Sequence, residues 1–79
     1  MTLEEHLNEL LWTQKSLAEK AGISVVTVSN ALDGKPIKRY IALKIANALG
    51  EAKGAKIEVR EIDGLVIMPL RLGRKSKEG

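Results

Sequence analysis

The side chains that most often carry catalysis are scarce in this sequence. His6 is the only histidine, and there is no cysteine among the 79 residues. Zinc draws its ligands mainly from Cys and His, so a conventional metal site has too few donors here. A Ser–His nucleophile has one histidine to choose from, and no nucleophile, paired-acid or cofactor pattern accompanies it. Neither an enzyme, nor a metal, nor a cofactor is expected, and no small-molecule ligand site is evident. His6 itself reads as a solvated helix residue.

The remaining chemistry is that of contact through charge. Thirteen Lys and Arg face ten Asp and Glu, a formal net charge of +3, which alone identifies no partner. The distribution is more telling. Glu4, Glu5 and Glu9 crowd the start, whereas residues 35–44 hold Lys35, Lys38, Arg39 and Lys44 without an acid. Near the end, Arg71, Arg74, Lys75 and Lys77 face only Glu78, and residues 73–79 read as a basic disordered tail. The length suits one domain, whose core would stabilise it by only about 3–5 kcal/mol, so dimerisation is a natural supplement. No apolar run is long enough to span a membrane, and MTLEEHLNEL lacks the basic flank of a secretory signal.

Four helices must position these groups. Thr2 and Glu5 form a Thr-x-x-Glu capping box, and Leu3, Leu7, Leu10 and Leu11 follow at helical spacing, with Trp12 partly buried at the helix end. Thr13 caps a second helix over residues 14–21, with Leu17, Ala18 and Ala21 inward; Gly22 ends it. Ser24 caps a third over residues 25–32, with Val28, Ala31 and Leu32 inward. After Asp33-Gly34, a fourth is predicted over residues 37–49, with Gly50 as its stop. The period then changes. Ile57 and Val59 alternate with Glu58 and Arg60, Asp63-Gly64 reads as a hairpin turn, and residues 65–72 read as a second strand. In that register Ile62 faces Leu65, Val59 faces Met68 and Ile57 faces Leu70, and Pro69 marks an edge.

Residues 14–33, QKSLAEKAGISVVTVSNALD, make one unit. Two short helices crossing steeply need a small residue at the crossing (Ala18), a turn (Gly22) and a wedge of Ile23, Val28 and Ala31. That is a helix-turn-helix, whose second helix is built to enter a DNA major groove.

The same residues resemble the Cro/phage-repressor-like, or Xre, family. The carriers are Thr13-Gln14, Leu17-Ala18, Ala21-Gly22-Ile23-Ser24, Thr27-Val28-Ser29, and the closing Ile45-Ala46 and Ala48-Leu49-Gly50. Residues 21–34 also resemble the headpiece of lac-repressor-type regulators, but a full helix precedes the motif here. The fold class implied is mainly α: a lambda-repressor-like bundle of four helices, here followed by a C-terminal β-hairpin. Residues 1–50 would form the DNA-binding domain and residues 51–72 a dimerisation element.

The resemblance also implies roles. Gln14 would contact a phosphate or buttress the recognition helix, and Ser24, Thr27 and Ser29 would donate to phosphates or bases. Asn30 is the best hydrogen-bonding base reader, since Asn suits the adenine N6/N7 edge. Lys35, Lys38 and Arg39 would meet backbone and supply salt-sensitive affinity. Tyr40 would add a phosphate contact or pack at the core edge. One departure stands out: Val25-Val26 occupies positions where the family favours polar residues, and valines offer only apolar contact, for which the thymine methyl is the obvious partner.

The hairpin face of Ile57, Val59, Val66, Met68, Leu70 and Leu72 needs a cover, either the helical core or a second copy. A homodimer would set two recognition helices about 34 Å apart on a palindromic operator. The function expected is a sequence-specific double-stranded DNA-binding regulator, a repressor, located in the cytoplasm with the nucleoid. The competing class is an antitoxin-like or adaptor module using the hairpin to bind a protein.

Overall fold

The computed structural model describes residues 1–68. Four α-helices succeed one another: α1 (Leu3–Leu10), α2 (Gln14–Ala21), α3 (Val25–Leu32) and α4 (Arg39–Lys53), and then a 3₁₀ turn at Val59–Glu61. Three of the N-termini are capped as the sequence predicts. Thr2 Oγ1 accepts from the Glu5 N–H at 3.1 Å while Glu5 Oε1 accepts from the Thr2 N–H at 2.8 Å. Thr13 and Ser24 accept from the N–H of Ser16 and Thr27, each at 3.1 Å.

The helices also share an ending. A left-handed residue comes after each last turn (Leu11, Gly22, Gly34 and Gly54), and the next N–H reaches back to a carbonyl five residues earlier. Trp12 donates to Leu7, Ile23 to Ala18, Lys35 to Asn30 and Ala55 to Gly50, at 2.9 to 3.0 Å. These bonds absorb carbonyls that a helix end leaves unpaired. At Leu11 the conformation belongs to a residue with a side chain, and that side chain points away from the bundle, 90% exposed. It therefore leaves the apolar stripe expected of it, while Leu3 and Leu7 are buried and Leu10 packs at the core edge.

The core is led by Leu17, Val28, Ile45 and Leu49, all fully buried, with Ala18, Ala31, Ala42 and Ala46 at close helix approaches. α4 corrects its expected bounds at both ends. Ile37 stays outside because its N–H and C=O are bound elsewhere, to Val66 O and the Met68 N–H. Gly50 lies inside the helix: a Cβ there would sit 2.6 Å from the Ala55 carbonyl oxygen, so this glycine serves a close approach. Gly54, with φ +67°, is the stop.

The expected β-hairpin is not seen among the described residues. Among the described residues there is no strand, only isolated parallel bridges between Thr2 and Asp63 and between Ile37 and Ile67. Asp63-Gly64 does turn the chain, with φ +80° at Gly64 and the Leu65 N–H donating to the Ile62 carbonyl at 3.4 Å, but no strand continues from it among the described residues. Ile62 is buried in the helical core, and Ile57 and Val59 pack against that core. A lone two-stranded hairpin is marginal in water; burying these side chains on the helices stabilises more than pairing them with each other. Val66 and Met68 lie exposed, at 40% and 45%. Leu70, Leu72 and the basic tail lie outside the described residues.

His6 is a second correction. It lies on the packing face of α1, three residues after Leu3, and is 4% exposed. Its Nδ1 is 2.6 Å from Lys53 Nζ, and the same ammonium meets Glu9 Oε1 at 2.8 Å. Burial, then the Lys53 charge, holds the imidazole below its usual pKa.

Candidate nucleic-acid interface

α2 and α3 pack through Leu17, Ala18, Val28 and Ala31, all buried, with Ala21 and Ile23 half-buried in the angle between them. Gly22, at φ +72°, turns the chain, and both its N–H and that of Ile23 donate to the Ala18 carbonyl. The geometry places α3 with one side sealed and the other available.

Its open side begins at the cap. Ser24 Oγ and Thr27 Oγ1 are 2.8 Å apart. One hydroxyl hydrogen is used between them, so the pair keeps one to donate outward. The cap and an outward contact are thus compatible. Val25 and Val26 come next, 44% and 69% exposed, so both face out. Ser29 and Asn30 are half-buried farther along the helix, and Gln14 is exposed in the first turn of α2.

The α3–α4 connection is held from several sides. The N–H groups of Gly34 and Lys35 close the end of α3 on Ala31 and Asn30. Ile37 is buried, whereas Lys35, Pro36, Lys38 and Arg39 are exposed around it. Lys38 is the backbone N-cap of α4 and makes no side-chain cap, so its ammonium is not used there. On the first turns of α4, Lys44 Nζ lies 5.7 Å above the Tyr40 ring, and Tyr40 is 54% exposed. This cation–π pair was not foreseen; its signal was the i, i+4 spacing of Tyr40 and Lys44.

The chain thus presents a short apolar ledge, Val25-Val26, on a capped helix, and cations at the adjoining loop. The suggested interface residues do not stay together: Ile57 and Val59 line the core, while Val66 and Met68 stand exposed beside Ile37. Among the described residues no group of acids and His6 could hold a metal ion, and no helix is long and apolar enough to cross a membrane.

A family model described as helix-turn-helix matches residues 3–53, from the start of α1 to the end of α4. No curated protein and no solved structure compared with the chain matches it.

Proposed function

Since the chain belongs to the Xre/Cro-like helix-turn-helix family, a DNA-binding and non-enzymatic family, we propose that it is a sequence-specific transcription regulator, a repressor that reads a palindromic operator as a dimer. The observation that carries this reading is the exposure of Val25 and Val26 on a helix whose opposite side is sealed in the core.

In this reading α3 enters the major groove. Val25 and Val26 meet thymine methyls, and Asn30 reads an adenine edge. Ser24, Thr27 and Ser29 donate to phosphates or to bases near the helix start, and Gln14 donates to the flanking backbone. Lys35, Lys38 and Arg39 neutralise phosphates, which supplies affinity without sequence preference. A homodimer matches a two-fold operator. Of the suggested interface residues, Val66 and Met68 are the exposed ones within the described residues.

The test is titration of a labelled duplex pool at two salt concentrations, then selection of the bound sequences. Binding that weakens with salt and a selected palindrome with half-sites about 34 Å apart are expected. No duplex binding at low salt would exclude DNA as the partner and favour the protein-interaction alternative.

A further inference from the structure

We propose that residues 62–68 form a strap that positions the basic α3–α4 loop for phosphate contact. This rests on the DNA-binding reading and concerns how that same surface is held in shape.

The strap is attached at both ends of its described length. At its start, Ile62 is 3% exposed in the core. Next to it, the Asp63 N–H donates to the Met1 carbonyl at 2.7 Å and Asp63 Oδ2 meets the Met1 ammonium at 3.1 Å. At its other end, the Ile37 N–H donates to Val66 O at 2.9 Å and the Met68 N–H donates to Ile37 O at 2.8 Å.

Ile37 is the point of attachment on the loop. It separates Lys35 and Lys38, and both of its backbone polar groups are taken by the strap. Without those bonds, a buried residue would carry an unpaired donor and acceptor, which favours opening of the loop. A loop that samples several conformations must be ordered again when its lysines meet phosphates, and that ordering reduces affinity. The strap removes that cost beforehand. Its action is through the backbone, so it strengthens binding to every duplex and leaves the preference among sequences alone.

Met68 allows the bond to be removed at an exposed site. Met68→Pro deletes the donor, and the extended backbone favoured before Pro69 suits a proline. Met68→Ala keeps the donor and is the control. Both variants lose the methionine side chain, so any contribution of that side chain to a dimer cancels between them.

Met68→Pro should bind specific and non-specific duplexes about fivefold more weakly than Met68→Ala, the equivalent of one hydrogen bond of about 1 kcal/mol. The fall of its log affinity with log salt should keep the same slope, because the same phosphates are neutralised once the loop is ordered. The Ile37 amide should exchange faster with solvent while the Ile45 and Leu49 amides stay protected. If Met68→Pro loses that core protection, Met68→Gly takes its place; it keeps the donor, loosens the strap, and should move affinity in the same direction by less. Equal affinity for the folded variant and Met68→Ala would overturn the strap. Absence of duplex binding by the unaltered protein would instead remove the reading on which it rests.

Discussion

Lys53 Nζ lies 2.6 Å from Nδ1 of His6, joining the last turn of α4 to the buried face of α1. A lysine ammonium donates, so the imidazole must accept at Nδ1 and be neutral there. A second proton on His6 would set two cations against each other inside the fold, with the Met1 ammonium adding to the repulsion and Glu9 and Glu5 opposing it.

Stability should therefore depend on pH with a definite sign. His6 has a folded pKa below its unfolded value near 6.5, so the unfolded chain binds the proton first. Its contribution is complete above that value and is lost as pH falls below it toward the folded pKa. Glu9, held low by its bond to Lys53, acts in the same direction but deeper in acid, below the usual carboxylate range. Urea unfolding midpoints should drop between pH 7.5 and 5.5, and His6→Leu should flatten that part of the profile. An unchanged profile in the variant would assign the effect to another group.

Leu11 should be improvable. It holds φ +58° with its side chain almost wholly in solvent, so little packing compensates the steric cost of a Cβ in that conformation. Leu11→Gly is expected to raise stability by about 1 kcal/mol, visible as a higher thermal midpoint with the helical circular dichroism intact.

Gly50 should respond in the opposite sense despite its helical backbone. Alanine is ordinarily the better helix former, but here its methyl would meet the Ala55 carbonyl oxygen at 2.6 Å. Gly50→Ala should destabilise by about 1–3 kcal/mol, as overpacking does. A stabilised variant would show that residues 55–57 move aside freely.

On DNA, Asn30→Ala should cost about 1–3 kcal/mol and relax preference at one base pair. Binding selections with the variant would show that position become degenerate. Equal weakening on all sequences would instead make Asn30 a structural or backbone contact.

Lys38→Gln should weaken all duplexes alike and lower the salt slope by about 0.9, the signature of one phosphate neutralised. A loss confined to the selected operator would place Lys38 at a base edge instead.

Much of the helical part was legible because its determinants are local. Thr2, Thr13 and Ser24 each cap the turn directly C-terminal to them, and Gly22 reverses the chain by its own freedom at positive φ. The spacing of Leu17, Ala18, Val28 and Ala31 sets which sides of α2 and α3 are sealed. These features suffice for the helix-turn-helix and the outward valines. Other readings failed where the deciding partner was distant. Gly50 and Gly54 are both plausible stops for α4, and only the course of residues 55–57 past Gly50 selects between them. His6 looked solvated because its partner, Lys53, is 47 residues away.

The C-terminal segment shows the division most clearly. Its alternation of apolar and polar residues and its Asp63-Gly64 pair satisfy the local requirements of a hairpin, but local requirements do not choose a partner. The sequence by itself determined four helices, three of them with capped N-termini, the crossing of α2 on α3, and a recognition helix bearing Val25 and Val26. Tertiary structure decided that Ile62 would be buried on the helices and that Ile37, not a neighbouring strand, would receive the backbone of Val66 and Met68. The reason is physical: caps and turns are satisfied within a few residues, whereas a backbone donor or an apolar face takes whichever partner the assembled core leaves within reach.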